Sequence, residues 1–252
     1  MGRSLRWAVS LKETLSLPNF EELFRKAIFG LPEEDVKSQR AFRYKQDSLA
    51  CIIGRILIRK ATCDILEKSW PEITFERTGR GKPYLKNSPP NYHFNISHHG
   101  DLVVLATENV PVGIDVMRIE KRRSETAEEH IMKLKRQFTE QEIETMLGFV
   151  TELDRWRAFY RIWCLKEAIL KATGIGLTDN LRKYDFWTKP NHSFEPGCYL
   201  TSTRYFHEKI EQKSWRIEEC FIDLLYDVQF LSPDLDDIEE FEIFDVKPDK
   251  HF

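Results

Sequence analysis

The chain has 252 residues, of which 41% are hydrophobic, including 17 Phe and 6 Trp, so it has the material for one large core or two modest ones and is not a disordered chain. A formal net charge of −3 excludes the general basic excess of a nucleic-acid binder. No apolar run approaches the ~20 residues that span a bilayer, so no membrane crossing is expected.

The segment Met1–Arg6 lacks an apolar leader core. Gly2 invites N-myristoylation, but Arg6 stands where that motif needs Ser or Thr. Five cysteines (Cys51, Cys63, Cys164, Cys198, Cys220) show no C-x-x-C spacing. The odd count and the missing leader predict reduced thiols and a cytosolic protein.

Taken in chain order, Arg6–Leu11 alternates as a first strand. Asn19 opens a short helix through Phe29, stopped by Gly30 and Pro32. Pro32-Glu-Glu-Asp35 opens a second helix, with proline in the first turn and acids near the positive end of the dipole. Helical pattern continues to Leu66 with a break near Tyr44–Asp47, and Ala50, Ile53, Leu57 and Ala61 form its apolar stripe. Ile73–Arg77 reads as a strand and is followed by a glycine-rich loop through Tyr84. Tyr92–Ser97 and Leu102–Thr107 read as strands joined at His99-Gly-Asp101, and Val112–Met117 as another.

Beyond it, Ser124–Arg136 is predicted helical, and Thr139-Glu-Gln-Glu142 has the capping-box form. Leu153–Thr173 is a long helix, with Gly174 suited to a left-handed C-terminal position. Tyr184–Thr188, Cys198–Thr203 and Phe221–Val228 read as strands. The segment Pro233–Asp245 carries seven acids and reads as a solvated edge or a disordered end. Similar element order in the two halves suggests two domains, 1–110 and 111–252, with no exact repeat.

Four segments carry chemistry. Asp115 ends the apolar strand Val112-Gly-Ile-Asp-Val-Met117, where a bare carboxylate is costly unless a metal or donor compensates; the alternative is an ordinary strand-end aspartate. Glu167 and Lys171 are spaced as a surface ion pair would be. They share a face with Trp163, however, and Leu165, Ala168, Ile169 and Ala172 fill the other positions, so this stripe reads as the lining of a cleft. Arg77-Thr-Gly-Arg-Gly-Lys-Pro83 packs cations around glycines that let a backbone approach an anion. It is neither a phosphate-loop nor a dinucleotide motif, because Lys82 precedes proline and Tyr84 stands where the third glycine belongs; the bland reading is a solvated basic turn. Asn95-Ile-Ser-His98-His99 offers donors at a strand-to-turn junction. A Ser-His nucleophile is disfavoured, since adjacent strand residues point to opposite faces. A zinc site from His93, His98 and His99 lacks the usual spacing.

In order and spacing these segments resemble the 4′-phosphopantetheinyl transferase family. The motifs are Gly79-Arg-Gly-Lys-Pro83, Asn95-Ile-Ser97-His98, Gly113-Ile-Asp115 and Trp163-Cys-Leu-Lys166-Glu167-Ala-Ile-Leu-Lys171. The likeness runs from about Arg6 to about Val228 and is greatest to the animal branch that serves aminoadipate-semialdehyde dehydrogenase in lysine metabolism. It implies an α+β fold of two similar halves related by a pseudo-two-fold, each a small antiparallel sheet packed with helices, with the active site in the cleft between them. It implies a magnesium-dependent enzyme of the holo-[acyl-carrier-protein] synthase type. That enzyme moves the 4′-phosphopantetheine of coenzyme A to a serine of a carrier-protein domain, of the fatty acid synthase or aminoadipate-semialdehyde dehydrogenase type, and releases adenosine 3′,5′-bisphosphate.

By that resemblance Arg77, Thr78, Gly79, Arg80, Gly81 and Lys82 hold the adenine and phosphate end. Asn95, Ile96, Ser97 and His98 take the 3′-phosphate region, and Lys37 contacts the same nucleotide. Asp115 and Glu167 ligate Mg²⁺, Lys171 grips the pyrophosphate, and Glu167 is the candidate base for the carrier serine. Met117 stands where many bacterial members have a third carboxylate, so a water or a group near His99 completes the shell. Two alternatives stay open: a metal-dependent nuclease, which usually sets its acid and lysine on a strand, and a non-catalytic carrier or coenzyme A binding module. A pseudo-symmetric single chain implies a monomer.

Overall fold

The computed structural model describes residues 4–33, 36, 45–176, 180–189, 194, 197–222 and 226–233. The chain divides into two compact units, the first ending at Asn109 and the second beginning at Val110. Each combines small antiparallel sheets with helices, the α+β class expected from the sequence.

In the first unit, strand β1 (Leu5–Ser10) runs into the short helix α1 (Leu11–Leu15), whose N-terminus is capped by the Ser10 hydroxyl accepting from Glu13 N. Helix α2 (Phe20–Phe29) ends at Gly30, as predicted. The helix expected to open at Pro32 and the break near Tyr44 fall largely outside the described residues, and so does Lys37. Helix α3 (Lys45–Leu66) carries the predicted stripe. Its Ala50 and Ile53 pack with Val9, Leu11 and Val103, and its Ile58 and Ala61 with Leu5, Trp7, Phe94 and Leu105.

Strands β2 (Phe75–Arg77) and β3 (Pro83–Leu85) form a hairpin of their own. Strands β4 (His93–His99) and β5 (Leu102–Glu108) complete a sheet of order β1-β5-β4. A Cβ at Gly54 of α3 would lie 2.8 Å from Ile96 Cδ1, so the glycine lets helix and sheet approach closely. Arg6 and Glu108 form a buried ion pair at one end of the sheet.

The second unit begins with β6 (Gly113–Arg118), followed by helices α4 (Ala127–Lys133), α5 (Glu140–Leu147) and α6 (Glu152–Thr173). The helix expected over Ser124–Arg136 is shorter. Thr126 caps α4 by accepting from Glu129 N at 3.2 Å, while Glu129 accepts from Thr126 N at 2.8 Å, and a 3-10 turn takes over at Lys135. Thr151 caps α6, and Gly174 closes it with φ of 71° and its N–H donating to Leu170 O.

The remaining strands are β7 (Tyr184–Trp187), β8 (Gly197–Leu200), β9 (Arg204–His207), β10 (Ile210–Glu211), β11 (Trp215–Ile222) and β12 (Tyr226–Pro233). They form a four-stranded sheet β6-β12-β11-β8 and a three-stranded sheet β10-β9-β7. The single strand expected over Phe221–Val228 is the join of β11 and β12, which pair antiparallel. Two facing apolar strands in sequence look like one long run until pairing is known. Trp156, Phe159, Ile162, Leu165 and Ile169 of α6 bury against Phe138, Tyr184, Phe186 and Phe221.

The expectation of five reduced thiols is corrected at one place. Cys198 of β8 stands directly opposite Cys220 of β11, and the two form a disulfide. Register alone brings these side chains together. Cys51, Cys63 and Cys164 remain thiols. The acidic segment lies outside the described residues from Asp234 onward. Among the described residues no helix is long and apolar enough to cross a membrane.

Candidate functional site

Three residues of the second unit meet where α6 crosses β6. Asp115 is 4% exposed, and its Oδ1 accepts from Lys171 Nζ at 2.5 Å. Lys171 therefore reaches across from α6 to the strand. Burial pushes the Glu167 carboxyl above its usual range, the Asp115 charge pushes it further, and Lys171 opposes both. Each group thus feels the other two.

Close packing of helix on strand sets this arrangement. A Cβ at Gly113 would collide with the Ala168 carbonyl oxygen and lie 2.7 Å from Ala172 N. Only glycine lets the backbone of β6 touch the turn of α6 that carries Glu167 and Lys171. Trp163 packs edge-on against Phe138 at 6.1 Å.

Two further contacts fix the rotation of α6, and the sequence reading passed over both. Lys166 Nζ lies 2.9 Å from Glu142 Oε2 and also donates to Leu181 O and Tyr184 O. Glu142 accepts from Thr139 N and Phe186 N as well. Burial pushes the Glu142 carboxyl up and the Lys166 ammonium down, and each partner holds the other against that. One turn earlier, Arg161 grips Glu219 of β11 with both ends of its fork, at 2.7 and 2.8 Å. The capping-box pattern did flag Glu142, but as a helix cap alone. Its second role needed the fold.

In the first unit, Arg77 to Lys82 form the turn of the β2–β3 hairpin. Thr78 N donates to Lys82 O at 2.9 Å, Lys82 N donates to Thr78 Oγ1 at 3.1 Å, and Arg77 donates to Gly81 O at 2.8 Å. Gly81 has φ of 84°, which the turn requires. Added Cβ atoms at Gly79 and Gly81 would meet nothing within 4 Å, so the tip is open to a ligand. This differs from the loop expected through Tyr84: the strand resumes at Pro83. The Arg77 charge acts on Cys51 and Arg55 of α3, and the Lys82 charge on His93 of β4. Burial pushes the Lys82 ammonium down. Arg77 and Lys82 of the hairpin and Arg55 of α3 therefore gather positive charge here, with the His93 ring beside them.

Along β4, Asn95 and Ser97 are buried, at 5% and 7% exposure, while Ile96 meets α3 and His98 is exposed. Alternation sets Ser97 and His98 on opposite faces, which disposes of the nucleophile pair.

Among the described residues no three His, Cys, Asp or Glu side chains cluster as a metal cage. The Asp115–Glu167 pair nevertheless fits one kind of ion. Magnesium takes oxygen ligands and is commonly held by one or two carboxylates, with water and phosphate completing its shell. A nearly buried carboxylate beside a second one that burial and then its neighbour's charge push up is a donor set a divalent cation would relieve.

Residues 18–110 match a family described as 4′-phosphopantetheinyl transferase, N-terminal, and residues 111–220 match the 4′-phosphopantetheinyl transferase superfamily. An L-aminoadipate-semialdehyde dehydrogenase-phosphopantetheinyl transferase from Pongo abelii is 37% identical over 224 residues, covering 87% of this chain and 71% of the relative. Its namesake from Xenopus laevis is 34% identical over 241 residues, covering 94% and 78%. The 4′-phosphopantetheinyl transferase Sfp of Bacillus subtilis is 31% identical over 158 residues, covering 63% and 66%.

Proposed function

The chain belongs to the 4′-phosphopantetheinyl transferase superfamily, and we propose that it moves the phosphopantetheine arm of coenzyme A onto a serine of a carrier-protein domain and releases adenosine 3′,5′-bisphosphate. The observation that carries this is the Asp115–Lys171 bond beside Glu167, an acid-acid-amine set on one strand and one helix. The names of its relatives point to aminoadipate-semialdehyde dehydrogenase as one bearer of the acceptor domain. Fatty-acid-synthase-type carrier domains have the same acceptor chemistry.

Asp115 and Glu167 would hold Mg²⁺, which when bound would offset charge on the pyrophosphate and orient it. Lys171 leaves its carboxylate partner for a phosphate oxygen and neutralises charge that grows on the leaving group. The serine oxygen attacks the phosphorus that bears the pantetheine. The bond from that phosphorus to the bridging oxygen breaks, and the bisphosphate departs with the electron pair. Glu167 takes the serine proton, directly or through a water.

In the first unit, the Arg77–Lys82 turn receives the nucleotide phosphates through its cations and open backbone. Asn95, Ile96, Ser97 and His98 take the region of the 3′-phosphate. Lys37, the remaining nucleotide contact by resemblance, lies outside the described residues.

The test is intact mass of an apo carrier protein after incubation with the chain, coenzyme A and Mg²⁺, beside an EDTA control. A gain of one phosphopantetheine that EDTA abolishes is expected. Glu167→Ala should lose the gain while its circular dichroism stays that of the parent. Full transfer by that variant would overturn the assignment.

A further inference from the structure

The sheet beneath α6 carries a row of polar side chains that extends the site sideways. Register places Gln229 of β12 directly opposite Asp115 of β6, and the same Gln229 directly opposite Glu219 of β11. Directly opposite residues of antiparallel strands project from one face, with Cβ atoms about 4.5–5.5 Å apart. That face is the one α6 covers, because Gly113, two residues before Asp115, abuts Ala168 and Ala172.

All three members are shut off from water: Asp115 is 4% exposed, Gln229 0% and Glu219 1%. The outer two are carboxylates, and α6 supplies a cation to each, Lys171 to Asp115 and Arg161 to Glu219. At about 1.5 Å per residue those cations are about 15 Å apart along the helix, while β6 and β11 lie two strand spacings apart, about 10 Å. The helix therefore crosses the row obliquely, with an ion pair at each end and Gln229 in the middle.

A carboxamide is an unusual choice there. An aliphatic side chain is the ordinary filler of a sheet face under a helix, and a buried amide costs free energy unless it is hydrogen-bonded. A third acid would crowd three negative charges against two cations. A carboxamide stays neutral and brings two donors, the only polarity two flanking carboxylates can use.

We propose that Gln229 is a positioning residue for the metal-holding pair: its buried carboxamide is the neighbour of Asp115 across the strands and keeps that carboxylate in the place where Glu167 and Lys171 meet it. The role rests on the transferase reading above, since it concerns the site which that reading assigns to Mg²⁺. Gln229 does not touch the reacting atoms. It acts through Asp115, and through the Arg161–Glu219 pair it ties the pitch of α6 to the same row.

The test uses the full chain and Gln229→Leu, an apolar replacement of nearly the same size, with Gln229→Met as an unbranched second variant. Mn²⁺ binding is followed by the electron paramagnetic resonance signal of the free ion, independently of turnover. Melting is followed by circular dichroism, and transfer by kcat and carrier KM. Expected are cooperative melting, Mn²⁺ affinity at least tenfold weaker, lower kcat and unchanged carrier KM. A folded variant with parental Mn²⁺ affinity and kcat overturns the proposal. Failure of both variants to fold also overturns it, because the carboxamide is then a requirement of the fold itself. A parent chain that binds Mn²⁺ but transfers nothing would indict the transferase reading and leave the binding comparison intact.

Discussion

Lys166 and Glu142 form an ion pair, 2.9 Å apart, with both side chains at 1% exposure or less. Lys166 precedes Glu167 in sequence, yet about 100° of helical rotation turns it to another face of α6. One signature lysine therefore anchors the helix through Glu142 and two backbone carbonyls, while the next residue, Glu167, is the one proposed to act in the site.

Removing one member of this pair leaves the other charged and buried. Lys166→Ala is expected to cost about 3–5 kcal/mol in urea unfolding. The double variant Lys166→Met with Glu142→Leu should recover most of that, because no lone charge remains. A single variant as stable as the parent would show that the pair is not buried in solution.

Gly113→Ala tests the contact of strand and helix. Its new methyl group meets backbone atoms of Ala168 and Ala172, which cannot rotate away. Overpacking of this kind costs about 1–3 kcal/mol. Transfer should fall far more than stability, because Asp115 and Glu167 separate when α6 is pushed off β6. Parental kcat together with a lowered melting temperature would contradict this.

Lys82→Met should weaken coenzyme A and spare the chemistry. Loss of a hydrogen bond to a charged group is worth about 1.5–3 kcal/mol, or roughly tenfold to a hundredfold in KM for coenzyme A. Initial rates at varied donor concentration read this directly. An unchanged donor KM with reduced kcat would move Lys82 out of the nucleotide site.

Glu125 gives a pH signature away from the site. The Lys133 ammonium bonded to it, then the His130 ring, hold its carboxyl down from 4.5 to about 2, against an opposing push from burial. A depressed folded value means stability that is fully present above the unfolded value and lost as pH falls. The melting-temperature gap between the parent and Glu125→Gln should be constant above about pH 5 and close as pH falls toward 2. A gap that widens on acidification would reverse the sign.

Much of the site could be read from residues because its signals are local. The alternation ending at Asp115, the cap-to-glycine frame of α6 and the clustered cations of Arg77–Lys82 each lie within one element. What escaped depends on distant pairing. Strand β3 hid behind the glycines, and β11 and β12 ran together as one apolar stretch. Cys198 and Cys220 meet only through the register of β8 on β11. Gln229 lay just past the strand expected over Phe221–Val228 and drew no notice until β12 was placed between β6 and β11.

That placement has a consequence for how the protein is made. Strand β6 is at the edge of its sheet and pairs with β12 alone among the described strands, although the two are more than a hundred residues apart in the chain. On the ribosome, Asp115 emerges long before the strand that seats it. The sheet cannot close until Tyr226–Pro233 has been synthesised. A message truncated just before that strand would encode every signature motif and still yield a protein whose acid-bearing edge has nothing to pair with.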